Sequence, residues 1–312
     1  MSRTALRDLD GVLLLDKPRG IGSTDALARA RRLLGARKGG HGGTLDPMAT
    51  GLLPLAFGLA TRFAHESLDA AKTYAATMLL GITTDSGDAE GRRLQERPVA
   101  VDEQRFRAAA AAFVGPIAQV PPMHSALKHE GRPLYEYARQ GQVIERAARQ
   151  VHVAAIDLLA LSPVAACDAG APGSLCADIR VQCSKGTYIR TLASDLGEHL
   201  GCGAHLIALR REAVGQLAVA DAVTLEALEA MDPTRRLQQL RGSDALMTAL
   251  RPVALEPTLA RRFLQGQRLR LAAAAGADQT ERVRVYEDGR LIGTASIVDG
   301  LLVPSRLVPV AA

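Results

Sequence analysis

The sequence predicts an α+β fold: a mixed, largely antiparallel sheet in one large domain, followed by a small β-rich unit at the C-terminus. Three observations lead there. Segments with strand and helix periodicity intermix without the regular βαβ alternation of a parallel sheet. Short alternating runs over 282–304 are separated by Asp288-Gly289 and Asp299-Gly300, and Asp-Gly between such runs is a strong hairpin signal. A chain of 312 residues has the length for one large domain plus a small one.

Taken in order, residues 11–16 read as a buried strand, the apolar run Val12–Leu15 ending at Asp16-Lys17-Pro18. Ser23 or Thr24 is placed to cap a helix over Asp25–Leu34, with Ala26, Leu27, Ala30, Leu33 and Leu34 on one face. Apolar Gly51–Phe57 and β-type Lys72–Ile82 follow, then a polar turn at 83–88. Asp102–Val114 is alanine-rich and helical, and Gly115-Pro116 stops it. In Gln119–Lys128 two prolines bar regular structure while apolar and basic residues persist, which predicts a projecting loop with a task, closed by a helical turn at Leu134–Arg139. Strands are expected near Val151–Leu161 and Cys176–Cys183, joined by a small-residue connection at 162–174. Thr187–Leu200 reads as an amphipathic helix with Ile189, Leu192, Ala193 and Leu196 inward. The pattern loosens after Met231-Asp232-Pro233, so 232–252 reads as a linker and 253–312 as a barrel-like appendage of hairpins.

Hydrophobic residues at 47% and charged ones at 23% describe an ordinary soluble globule. No window reaches the apolar length of a membrane span, and the N-terminus lacks a signal-peptide pattern. Cys167, Cys176, Cys183 and Cys202 form no CxxC pair and have no histidines at metal-finger spacing, so they are expected to be reduced core residues of a cytoplasmic protein, with no metal site.

Chemistry concentrates in Gly39–Gly51, GGHGGTLDPMATG. Glycines admit positive φ and close backbone approach. Pro47 fixes the backbone after Asp46 and restricts Asp46 to extended geometry. An acid held stiffly in such a turn suits a nucleophile or general base. The net charge of +5 is compatible with an anionic partner. Arg29, Arg31, Arg32, Arg37 and Lys38, with no acid among them, precede the loop and suggest a phosphate-binding strip beside it. A phosphate-handling enzyme is disfavoured, because the loop lacks GxxxxGK[ST] and no GxGxxG follows a strand.

Six segments now fit one pattern: GVLLLDKPRG at 11–20, HGGTLDPMATG at 41–51, Lys72-Thr73-Tyr74, QVPPMHSALK at 119–128, CSKGTYIRTLASDLG at 183–197 and CGAHLIALRR at 202–211. In this order they resemble the TruB family of tRNA pseudouridine synthases, from about Gly11 to the C-terminus. The resemblance implies the pseudouridine synthase fold, a mixed eight-stranded sheet flanked by helices, and a C-terminal PUA-like RNA-binding domain. It implies a catalytic domain over 1–231 with a thumb-like insertion at about 119–150 that grips RNA. The implied activity is isomerisation of uridine to pseudouridine at position 55 in the T loop of tRNA, without cofactor or metal and without a partner protein. Asp46 matches the family's catalytic aspartate, Tyr74 its active-site tyrosine and Arg190 the arginine that pairs with the aspartate. His41, Tyr188 and Leu209 match positions that contact the target nucleotide. His124 and His129 stand where relatives carry tyrosines.

The implied chemistry suits these residue types. A carboxylate needs no base to activate it, an arginine favours its anionic form, and a base must leave its stack to be reached. Tyr74 would stack on the extruded base, Tyr188 would position it and His41 would fill the space it vacates. Two alternatives stand beside this reading: a non-catalytic chaperone that opens and refolds the tRNA T arm, and a guide-RNA-dependent synthase.

Overall fold

The computed structural model describes residues 6–163, 173–270 and 280–309. Most of the expected connection at 162–174, Cys167 included, lies outside them. In the first half of the chain the strands are β1 (Gly11–Lys17), β2 (Gly39–His41), β3 (Thr50–Phe57), β4 (Lys72–Leu80), β5 (Ile82–Thr84), β6 (Arg93–Glu96), β7 (Gly115–Gln119), β8 (Lys128–His129) and β9 (Arg132–Pro133). The long strands β10 (Arg149–Pro163), β11 (Leu175–Cys183) and β12 (Ala204–Val214) follow, then short β13 (Leu217–Ala218) and β14 (Val223–Thr224). The helices between them are α1 (Ser23–Leu34), α2 (Ala64–Asp69), α3 (Glu103–Ala111), α4 (Leu134–Arg139), α5 (Ile189–His199), α6 (Leu225–Ala230) and α7 (Pro233–Gln238). At the C-terminal end β15 (Arg251–Ala254), α8 (Pro257–Leu264), β16 (Leu269–Arg270), β17 (Glu281–Glu287), β18 (Arg290–Val298) and β19 (Leu301–Leu307) complete the described chain.

The large sheet runs β14-β1-β3-β12-β4-β11-β10-β7, with β2 on β3 and β13 on β12. The path has the eight strands that the resemblance implies. It is mixed: β1 with β14 and β3 with β12 are parallel, and the remaining pairs are antiparallel. The Val12–Leu15 run of β1 is apolar without a break because it is buried on both faces. Leu13 and Leu15 enter the main core with α1, α5 and α6, whereas Val12 and Leu14 pack on the opposite face with Leu52, Leu217 and Leu246. β4 and β11 alternate instead, Tyr74, Ala76 and Met78 facing the main core together with Ile179 and Val181.

Two expectations change. Ser23 lies inside α1, not at its cap, because its hydroxyl is taken by the backbone N–H and C=O of Leu45 at 2.7 and 3.0 Å. Cys183 and Cys202 are free and buried, but Cys176 is disulfide-bonded, against the expectation of four reduced thiols.

The stretch 232–252 holds α7 and a 3-10 turn, Ser243–Met247. The C-terminal sheet, β15-β17-β18-β19-β16, has its own core of Phe263, Val283, Val285, Ile292 and Leu302. Asp288 and Asp299 take positive φ (47° and 50°), each followed by a glycine that does the same, as two-residue hairpin turns require.

Candidate active site

The loop between β2 and β3 carries Asp46 and is fastened from several directions. Ser23 holds Leu45, and the N–H of Gly20 donates to the Pro47 carbonyl at 2.8 Å. Gly42 packs against α2 so tightly that an added Cβ would lie 2.3 Å from the Cβ of Ser67. At the other end Gly51 has φ +99°, and a Cβ there would lie 2.3 Å from the Arg211 carbonyl oxygen. At these two positions the glycines serve close approach and, at Gly51, a left-handed backbone.

Asp46, about a third exposed, accepts from Arg190 Nε at 2.9 Å. Arg190 is buried near the start of α5 and spends its remaining donors on the carbonyls of Ser86 (2.9 Å) and His124 (2.6 Å), with the Asp88 carboxylate 3.5 Å away. Asp88 is itself fixed by the Ser86 hydroxyl at 2.6 Å and the Glu90 N–H at 3.1 Å. One guanidinium thus ties the Asp46 loop, the turn after β5 and the proline-rich loop between β7 and β8. A buried cation between two carboxylates keeps its charge and its orientation.

Tyr74 faces the same region from β4, opposite Arg211 of β12 in the antiparallel register. Burial holds its phenol above the ordinary tyrosine range, and the positive charge of Arg211 opposes that shift. Tyr188 caps α5, its backbone N–H and C=O both held by the buried Gln119 side chain. Burial raises its phenol too, which lies beside Ser125 and in the field of Asp46 and Arg190. Leu209 of β12 is 8% exposed and lines a cleft of about 460 Å³ with Arg19, Met48, Thr50, Asp178 and Arg210. Met48 and Thr50 follow Asp46 in the chain, so the cleft opens beside the reactive loop. His41 sits on β2 with its proton affinity lowered first by burial and then by Arg211, and its buried Nδ1 has no hydrogen-bond partner. Lys17, the last residue of β1, gives two donors to the Pro18 and Ile21 carbonyls, and burial lowers it to about 8 with Asp46 pulling the other way.

The structure therefore brings Arg190, Tyr74 and Tyr188 into the neighbourhood of Asp46, with His41 at the start of the loop; Leu209 is the one of the expected residues that lines the adjoining cleft. It does not bring the basic strip there. Arg29, Arg31, Arg32, Arg37 and Lys38 are exposed. Ser23 is the end of α1 that touches the loop, which leaves Arg32 roughly 14 Å away along the axis. Lys38 leads into Gly39 opposite Phe57, the far end of β3, and Arg37 pairs with Asp8 at 3.1 Å. Adjacency in sequence misled here because helix and strand both carry the strip away from the turn that joins them to Asp46.

Asp88, Gln119 and Arg211 escaped sequence reasoning. Asp88 lies in a polar turn that reads as solvent-facing, and Arg211 follows an apolar run in a segment where no strand was expected. The one available signal for Arg211 was its place in CGAHLIALRR, two residues after Leu209.

Residues 31–189 match the description "TruB family pseudouridylate synthase (N terminal domain)", residues 190–258 "tRNA pseudouridylate synthase B C-terminal domain" and residues 252–308 "Pseudouridine synthase II TruB, C-terminal". The chain belongs to the TruB family. It is 57% identical over 307 residues to tRNA pseudouridine synthase B of Ralstonia nicotianae, covering 97% of this chain and 95% of that one. To tRNA pseudouridine synthase B of Burkholderia mallei it is 55% identical over 312 residues, covering 98% and 96%. Among solved structures, a crystal structure of a Cbf5-Nop10-Gar1 complex aligns with a TM-score of 0.65 at 26% identity, covering 92% of this chain and 78% of that one. An H/ACA RNP bound to a substrate RNA containing 2′-deoxyuridine aligns with a TM-score of 0.68 at 23% identity, covering 96% and 85%, a likeness of fold. Membership in the TruB family accounts for the pseudouridine synthase fold of the large sheet and for the β-rich C-terminal unit.

Proposed function

We propose that the protein isomerises uridine to pseudouridine in tRNA, at position 55 of the T loop, with Asp46 acting directly on a uridine turned out of its stack. The observation that carries this reading is the Asp46–Arg190 pair at 2.9 Å, with one carboxylate oxygen held by a buried guanidinium while the acid stays partly exposed two residues from the cleft-lining Met48. The curated relatives' name, tRNA pseudouridine synthase B, supports tRNA as the substrate.

The reaction breaks the N1–C1′ bond, turns the uracil, and joins C5 to C1′; the C5 proton is lost and N1 gains one. The carboxylate serves as nucleophile or base on the nucleotide, and Arg190 fixes its direction of approach. Tyr74 stacks on the extruded base, Tyr188 and Leu209 confine it so that the detached uracil cannot leave, and His41 takes up the space it vacated. The proline-rich segment from 119 to about 150, joined to Arg190 through the His124 carbonyl, grips the T arm and so reports its presence to the acid's partner. The exposed strip from Arg29 to Lys38 anchors RNA phosphates at a distance from the reactive loop. We assign residues 1–231 to catalysis, 232–252 to the connection and 253–312 to a PUA-like RNA-binding domain. The enzyme works in the cytoplasm, as a monomer, without cofactor.

Mapping pseudouridine in unmodified tRNA incubated with the protein tests the assignment. Asp46→Asn is expected to lower the single-turnover rate by about 10³-fold or more while tRNA affinity stays within a few-fold of wild type. Modification at another position overturns the site, and an active Asp46→Asn removes Asp46 from the chemistry.

A further inference from the structure

Arg211 is the largest fully buried side chain among the described residues, 1% exposed. It makes no ion pair among them. A buried guanidinium without a carboxylate is costly, so its contacts must hold something worth the cost. Nε donates to the Leu52 carbonyl at 2.7 Å and Nη2 to the Gly43 carbonyl at 3.2 Å. These two carbonyls bracket the segment that contains Asp46. The Arg211 backbone adds a third hold: it lies opposite Gly51 of β3 and opposite Tyr74 of β4, closing on the glycine so that no Cβ fits. The guanidinium also acts on the Tyr74 phenol, opposing the rise that burial imposes on it.

A lysine could not do the same. Its single ammonium is a point charge, whereas the planar guanidinium carries five donors in a fixed fork and can meet two carbonyls and a phenol at once. The neighbouring cation, Lys72, is already committed to the Leu68 and Ala70 carbonyls at 2.6 Å each. Arg190 holds the acid itself; Arg211 holds the two ends of the loop that presents the acid.

We propose that Arg211 is a positioning residue for the isomerisation: its guanidinium closes the Asp46 loop at both ends and aligns the Tyr74 phenol with the carboxylate. The inference rests on the proposed function. A displacement of about 1 Å in a reacting group costs on the order of 10²-fold in rate, which sets the scale of the effect.

The test uses the full chain and unmodified tRNA. Wild type, Arg211→Lys, Tyr74→Phe and the double variant are compared for thermal unfolding, tRNA affinity and single-turnover rate at saturating enzyme. Arg211→Lys is expected to stay folded and bind tRNA within about twofold of wild type, with a rate about 10²-fold lower. Because Arg211 acts in part through Tyr74, the double variant is expected to be less impaired than the product of the two single effects. A rate for Arg211→Lys within threefold of wild type, a defect confined to affinity, or multiplicative losses in the double variant would overturn the inference. Should Arg211→Lys not fold, Arg211→Gln takes its place, keeping one amide donor without a buried charge; failure of both to fold makes the residue structural only and overturns it. Wild-type protein that forms no pseudouridine sinks the functional reading itself, a result distinct from an active enzyme indifferent to Arg211.

Discussion

A single arginine, Arg190, sees two carboxylates at unequal distances, Asp46 at 2.9 Å and Asp88 at 3.5 Å. The nearer acid is partly exposed and the other is buried and already satisfied by Ser86 and Glu90. Asp88 thus anchors the guanidinium from behind, leaving Nε aimed at Asp46. Asp88→Asn keeps the shape and removes the charge, so Arg190 is free to swing toward Asp46 and draw the acid away from substrate. The expected result is a single-turnover rate lowered about tenfold with tRNA affinity intact, read by rapid-quench assay against a filter-binding isotherm. An unchanged rate would show that the three backbone and carboxylate contacts left to Arg190 are sufficient.

Among the elements, α2 is short yet meets more of the site than its length suggests. Ser67 supports Gly42, Asp69 pairs with Lys185 at 2.8 Å in the turn before α5, and the carbonyls of Leu68 and Ala70 hold Lys72. Gly42→Ala forces a methyl against Ser67 and is expected to cost about 1–3 kcal/mol in urea unfolding and to slow turnover by displacing the loop. Burial also lowers Lys72 to about 8 from 10.5, Arg211 adding to the effect. Between those two values the unfolded chain holds the proton that the folded chain has released, so this group makes stability rise with pH across that window. Lys72→Met is expected to flatten the pH dependence of stability between about 8 and 10, by less than ~1.4 kcal/mol per pH unit, in urea titrations at half-unit steps. Equal slopes in both proteins would place the Lys72 ammonium in a wetter setting than its two carbonyl bonds indicate.

At the scale of the whole molecule, the C-terminal sheet docks on the large domain through Arg282. That residue forms an ion pair with Glu66 of α2, a carboxylate that is 8% exposed and also meets His65 at 2.9 Å. Arg284 and Tyr286 of the same strand reach Asp244 at 3.4 and 2.6 Å. Arg282→Ala leaves Glu66 buried with His65 as its remaining ionic neighbour. The expected outcome is faster tryptic cleavage around Arg241 and Arg251, with the cores on either side still folding; an unchanged cleavage rate would assign docking to the Asp244 contacts.

How much of this was legible depended on what decides each element. β1, α1, α3, α4, α5 and the C-terminal hairpins were readable because local patterning and turn chemistry settle them. β12, the strand at the centre of the large sheet, was not read as one: its Ala204–Leu209 run carries apolar residues on both faces, the exposed Ala208 among them, so it lacks alternation, and two arginines at its end look like surface. Asp46 could be found from its glycines and proline, and its partner Arg190 from the family resemblance. Asp88 and Arg211 could not, since burial of a charge is decided by strands and turns brought in from far along the chain.

The bonds from Arg211 to Leu52 and Gly43 span 159 and 168 residues. Synthesis proceeds from the N-terminus, so Asp46 leaves the ribosome long before the strand that frames its loop. A nascent chain that has emerged only through α5 carries Asp46 in a loop that Ser23, Gly20 and Arg190 can hold but Arg211 cannot yet reach. The last hold on the loop arrives only when β12 takes its place between β3 and β4.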